Sequence, residues 1–199
     1  GISHKCSILT RSLGWLTTVL YGQMIRIVVL GRDMKALVAR KLSTGDQRVV
    51  IIPNWADLDF VQPFPRQYNP LLRQLGLENK FVIQYSGNIG RTHGIEDLMN
   101  CAEQLLHESS IHFLIIGFGG KKSWLKQTIQ KRTLINTTLM DYRSRSDLPI
   151  SLTACDVTII SFVRGMAGVS VPSRMYNVMA AGKPIIAVAD PDAELALVV

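Results

Sequence analysis

The feature that most limits what this chain can fold into is an alternation of continuous apolar runs with stretches of helical period. The segments FVIQY (81–85), IHFLII (111–116), VTIIS (157–161) and IIAVA (185–189) are apolar or β-branched almost throughout, without the alternation of a half-exposed strand. Such runs belong to strands covered on both faces. Between them, Ile95–His107 sets Ile95, Leu98, Met99, Ala102, Leu105 and Leu106 on one helical face, and Ser123–Arg132, Asp147–Ala154 and Ser173–Ala181 also read as helices. Strands and helices in regular succession predict an α/β fold, a parallel sheet with helices on both faces.

The first quarter repeats the pattern on a smaller scale. Residues 8–21 read as a helix, Ile25–Leu30 as a strand stopped by Gly31, Arg32–Leu42 as a helix broken by Ser43–Asp46, and Val49–Ile52 as a strand ended by Pro53. From Asn54 to Asn69 the prolines at 63 and 65 and the aspartates at 57 and 59 interrupt any period. That stretch predicts a linker with a domain boundary near it.

Hydrophobic residues at 47% and charged residues at 19% exclude a disordered or low-complexity chain. No apolar run approaches the roughly 18 residues of a membrane span. Cys6, Cys101 and Cys155 are scattered and odd in number, which points away from a disulfide framework or zinc site and toward a reducing cytosol. The net charge of +7 favours an anionic partner. Without aromatic–basic interleaving or a binding motif, nucleic acid is not the expected one.

In open α/β sheets ligands bind beyond the carboxyl ends of the strands, and the unusual residues gather there. After FVIQY comes Ser86-Gly87-Asn88-Ile89-Gly90-Arg91-Thr92-His93-Gly94, then a helix. Glycines admit close backbone approach, a helix start offers free N–H groups, and Arg91 adds a charge suited to phosphate. A strand-to-helix turn also uses glycine for its φ angles alone. After FLII comes a second such turn, Gly117-Phe118-Gly119-Gly120-Lys121-Lys122, which lacks the Walker ending. The third segment, Gly165–Val171, is small, flexible and uncharged, and Pro172-Ser173 then opens a helix closed by Gly182 and Pro184. Ser173 is placed as its N-cap and Gly182 as its C-cap. Arg174 in the first turn opposes the helix dipole unless it meets an anion or reaches into solvent. Asp57 and Asp59 read as turn residues rather than a metal pair. The four histidines, His4, His93, His107 and His112, share no metal-ligand spacing.

Four segments in order, VVIIPNWADLDFV, YSGNIGRTHGIEDL, FLIIGFGG and VPSRMYNVMAAGKPIIAVAD, resemble the C-terminal half of retaining glycosyltransferases with the GT-B fold, in the large family 4 group. The resemblance implies Rossmann-like domains, with residues 1–48 a remnant of the N-terminal acceptor domain. Residues 49–199 would form the nucleotide-sugar-binding domain, truncated at its C-terminal end. Positions where the family carries an arginine and a lysine for the diphosphate fall on Asn88 and His93, which moves the cationic duty to Arg91. The family's paired glutamates fall on Val169 and Asn177; Asn177 retains a hydrogen bond to the ribose, and Val169 does not reproduce the sugar contact. The Gly-x-Ser-x-Pro-Ser-Arg form ending at Arg174 resembles a subgroup in envelope-polysaccharide assembly.

The resemblance thus implies transfer of a hexosyl or N-acetylhexosaminyl group from a nucleotide-diphosphate donor to a glycan or lipid-linked acceptor, with retention and without a metal cofactor. Arg91 and Arg174 would stabilise the leaving diphosphate. Gly87, Asn88, Gly90, His93, Gly117, Gly119, Ser170, Ser173 and Asn177 would hold the donor. It further implies a cytoplasmic location at the inner membrane face, with peripheral contact to anionic lipid. A nucleotide-sugar epimerase and a non-catalytic nucleotide-binding domain stand as alternatives; the missing carboxylates count against the first and favour the second.

Overall fold

The computed structural model describes residues 8–42 and 47–199. The expected break at Ser43–Asp46, together with His4 and Cys6, lies outside the described residues. Residues 8–42 and 47–51 form a small lobe of α1 (Ile8–Gln23), β1 (Ile27–Val29), α2 (Arg32–Ala39) and β2 (Val49–Ile51). Strands β1 and β2 pair in parallel, Ile27 opposite Val49, and close a core of Val29, Val38, Leu42 and Val49. The pairing crosses the expected division at 48/49, since Val49–Ile51 shares a sheet with β1.

The large lobe runs α3 (Pro70–Leu75), β3 (Phe81–Asn88), α4 (Ile95–Gln104), β4 (Ile111–Phe118), α5 (Lys122–Lys131), β5 (Thr137–Met140), α6 (Leu148–Thr153), β6 (Val157–Ser161), α7 (Arg174–Ala180), β7 (Ile185–Val188) and α8 (Glu194–Val198). Five strands form one parallel sheet in the order β5-β4-β3-β6-β7. Chain order runs outward from β3 on one side and from β6 on the other. The topological switch therefore lies between β3 and β6, where such sheets open a crevice. Separate cores fill the two faces: Tyr85, Ile95, Met99, Phe113 and Leu125 belong to one, and Leu71, Leu72, Val82, Leu114 and Cys155 to the other.

Helix α3, strand β5 and helix α8 extend the sequence reading. Helix α3 is locally well specified. Asn69 caps it, accepting from the amides of Leu71 (2.9 Å) and Leu72 (3.2 Å), Pro70 stands at its first position, and Gly76 ends it in a left-handed conformation. Strands β3 and β4 run further than their apolar runs. The ladder continues through Gly87 opposite Gly117 and Asn88 opposite Phe118, so the glycine-rich segments begin inside the sheet.

Candidate functional site

The carboxyl ends of β3 and β6 enclose a cleft of about 280 Å³ at the switch point. Gly87, Asn88 and His93 supply one wall and Phe162 the base, while Ser170–Arg174 supply the other wall. Among the described residues that line it none is a carboxylate, and Arg174 is the one with a permanent charge.

Arg174 occupies the boundary between the two walls. Its Nη1 donates to the carbonyl of Ser86 (3.0 Å), and the guanidinium lies over the ring of buried Tyr85, 4.6 Å from the centroid. A Cβ on Gly87 would stand 2.1 Å from Nη1, so the glycine makes room for the arginine. Nε and Nη2 are buried and have no hydrogen-bond partner in the structure. Unpaired buried donors are costly, and these belong to a cation that lines the cleft and stacks on Tyr85. Arg174 does not extend into solvent.

The end of α7 follows the sequence reading and its start does not. Gly182 has φ +66°, and the amides of Gly182 and Lys183 bond back to the carbonyls of Met179 and Val178. That is a Schellman ending. Ser173 makes no side-chain cap bond, because its backbone is already helical (φ −57°, ψ −30°) and its hydroxyl does not turn back onto the first turn. Exposed Ser173 instead lines the cleft.

His93 is held by its surroundings. The ring meets Phe162 at 5.5 Å between centroids, Nδ1 lies 3.2 Å from the Thr92 hydroxyl, and the His93 carbonyl accepts from Ser161 Oγ at 2.6 Å. Burial, reinforced by the charge of Arg174, holds the imidazole below its ordinary pKa.

Of the residues expected at the site, Gly87, Asn88, His93, Ser170, Ser173 and Arg174 come together. Gly90, Gly117 and Gly119 stand behind the wall. A Cβ on Gly117 would lie 2.0 Å from the Gly87 carbonyl oxygen, and one on Gly119 would lie 2.5 Å from Asn88 Oδ1 and the Ile89 carbonyl. A Cβ on Gly90 would crowd Asn88 and His93. These glycines shape the wall and do not line the cleft. Arg91 and Val169 are exposed and outside the lining, and half-buried Asn177 is outside it too. Asp57 accepts the Phe60 amide, the bond of a turn, and among the described residues no group of three His, Cys, Asp or Glu is placed to hold a metal. Val171 and Pro172 lie in the loop that the sequence singled out, whereas Phe162 and the Tyr85 platform escaped the sequence reading. Phe162 alone had a signal, its place directly after a strand.

An all-parallel sheet with a cationic, carboxylate-free cleft at its switch point defines a Rossmann-type domain. The chain belongs to the family described as glycosyl transferases group 1, which it matches over residues 70–194. It is 36% identical over 203 residues to WbjE of Pseudomonas aeruginosa, described as a probable glycosyltransferase, covering 100% of this chain and 49% of that protein. It is 34% identical over 151 residues to WcaI of Escherichia coli K12, named for glycosyl transfer in colanic acid biosynthesis, covering 75% of this chain and 37% of that one. The chain spans about half or less of the length of these relatives. The Anabaena HepE structure in complex with UDP and glucose superposes with a TM-score of 0.72 at 16% identity, covering 94% of this chain and 56% of that one. The fold is GT-B.

Proposed function

We propose that the cleft receives the diphosphate of a nucleotide-sugar and that the full-length protein transfers a hexosyl or N-acetylhexosaminyl group, with retention, to a glycan or lipid-linked acceptor in polysaccharide or cell-envelope biosynthesis. The observation that carries this reading is Arg174, whose buried donors have no partner beside a cleft without carboxylates. Family membership and the polysaccharide role in a relative's name support the reaction class.

Glycosyl transfer breaks the bond from anomeric carbon to phosphate oxygen, so negative charge grows on the diphosphate as positive charge grows on the sugar. A preorganised donor at the leaving oxygens is worth about 2.7–4 kcal/mol in well-studied cases. Arg174 supplies that charge, and Asn88, Ser170 and Ser173 supply neutral hydrogen bonds. His93, neutral near pH 7 because of its lowered pKa, presents a single donor or acceptor. No metal takes part in this scheme, and Arg91 serves at most from the rim. The enzyme works at the inner membrane face, where its net charge of +7 favours anionic lipid.

The test is transfer by the full-length protein from a nucleotide-sugar, with the product linkage assigned by NMR. The expected product keeps the donor's anomeric configuration; an inverted product refutes retention, and no transfer to any glycan or lipid acceptor refutes the enzyme.

A further inference from the structure

The loop between β6 and α7 is tied down by carboxylates from two separate parts of the chain. Asp190, just after β7, accepts the amides of Gly165, Met166 and Ala167 on its Oδ2, at 2.8, 3.0 and 3.3 Å. The next amide, Gly168, goes elsewhere. It donates at 2.9 Å to Oδ2 of Asp33, in the first turn of α2 in the small lobe. The same oxygen accepts the Glu194 amide at 2.9 Å, and Asp33 is only 8% exposed. Gly168 sits at φ +74°, where a Cβ would meet the Asp33 carbonyl oxygen and Leu37 at 3.1 Å. Two residues further on, Ser170 and Val171 form the cleft wall.

We propose that Asp33 is a positioning residue for the donor cleft, through which the small lobe sets the Gly165–Val171 loop and thereby the affinity for nucleoside diphosphate. This rests on reading the cleft as the nucleotide-sugar site. The loop is built largely of small residues; Met166 packs against the core and Val171 is buried, and between these anchors the amide bonds to Asp190 and Asp33 hold its backbone. A carboxylate accepting amides in a buried place makes stronger bonds than a neutral acceptor. If clamp and ligand select the same loop conformer, loss of the clamp lowers affinity by the population lost. A role confined to stability would lower Tm and leave the affinity of the folded protein unchanged.

The experiment titrates UDP, GDP and ADP into the 199-residue chain and its Asp33→Asn, Arg32→Ala and Arg174→Ala variants below their melting points, and follows amide hydrogen exchange. Asparagine keeps the size of Asp33 and loses its charge. Arg32→Ala removes a separate ion pair with Glu194, 3.1 Å between Nε and Oε2, and leaves both Asp33 amide bonds in place. The expected result for Asp33→Asn is an affinity about 5- to 30-fold weaker, with faster exchange at Gly168 and Glu194 and no change at Ile160 in the core. Arg32→Ala stays within about twofold of wild type, as expected for a partly exposed pair. Wild-type affinity in Asp33→Asn, or an equal loss in Arg32→Ala, overturns the positioning role. The cleft reading fails separately if Arg174→Ala binds as well as wild type, or if no diphosphate binds the unaltered chain. Should Asp33→Asn not fold, the wild type decides. Bound diphosphate must slow exchange at Glu194, which lies outside the cleft lining, as well as at Gly168, and an unchanged Glu194 overturns the coupling.

Discussion

Arg174 joins opposing demands in one side chain. It opens a helix where a cation is unfavourable, yet it gains the Tyr85 ring and the Ser86 carbonyl. In Arg174→Ala the lost contacts and the removal of two buried unpaired donors offset each other, so Tm is expected to move by only a few degrees. Activity has no such offset. The kcat/KM of the full-length enzyme is expected to fall about ten- to a thousandfold, and an unchanged rate in a folded variant would remove the arginine from the reaction. Its place was legible as an electrostatic conflict beside Ser173. Its platform was not, because Tyr85 lies far away in sequence and only the sheet joins the two. His93 carries a pH signature. Its folded pKa lies below the unfolded value of about 6.5, so the unfolded chain binds the proton more readily. Stability is therefore complete above about pH 6.5 and is lost as pH falls from there to the folded pKa, below which the loss levels off. Thermal melts of wild type and His93→Ala between about pH 5 and 7.5 should show this component missing in the variant. A saturating nucleoside diphosphate should shrink it in wild type, since an anion welcomes the protonated ring.

At the scale of elements, the four apolar runs of the large sheet were readable because burial on both faces leaves no polar period to misread. Strand β5, with the sequence TTLM at a sheet edge, carries no such run. Helix α8 is only five residues long, and in α3 the Asn69-Pro70 start and Gly76 stop lay just beyond a stretch already read as linker. The glycine-rich turns were legible as special positions, but their purpose depends on what approaches them. Gly117 meets the backbone of Gly87, and Gly119, at φ +155°, meets the backbone of Ile89, so neither clash is relieved by a side-chain rotation. Gly120 has nothing within 4 Å of its would-be Cβ. Alanine at 117 or 119 is therefore expected to cost about 1–3 kcal/mol or more and to weaken diphosphate binding by shifting Asn88. Alanine at 120 is expected to change stability by less than about 1 kcal/mol. Urea melts of the three variants distinguish a wall built on close backbone approach from glycines that merely loosen a loop; equal, small effects at all three would favour the second.

At the scale of the whole molecule, the two lobes differ in how much of themselves they bury. The large lobe has a five-stranded sheet covered on both faces, whereas the small lobe has two strands, a form that is marginal by itself. None of the described residues of α1 is buried, and Trp15, Leu13 and Leu16 are among its exposed apolar side chains. The large lobe alone contains every residue lining the cleft, so the proposed nucleotide binding and the proposed glycosyl transfer would make different demands on the chain. Binding needs the cleft and a loop held by Asp190 and Asp33, all present within the 199 residues. Transfer needs the acceptor held against the anomeric carbon as well, and most of the rate gain from such positioning is lost when one reactant is free in solution. The chain spans about half of WbjE. The 199-residue chain is therefore expected to bind a nucleoside diphosphate by calorimetry, and that binding should persist in EDTA because Arg174 supplies the charge that a metal would otherwise bring. Radiolabelled nucleotide-sugar should yield no glycosylated product with the chain alone and turnover, insensitive to EDTA, with the full-length enzyme. Transfer by the chain alone would place an acceptor site within these two lobes, and the groove where they meet, lined by Arg32, Arg40 and Asp192, would be the first place to mutate. Binding abolished by EDTA would show instead that a cation bridges the diphosphate to the cleft, and Arg174 would lose its standing as the principal counter-charge.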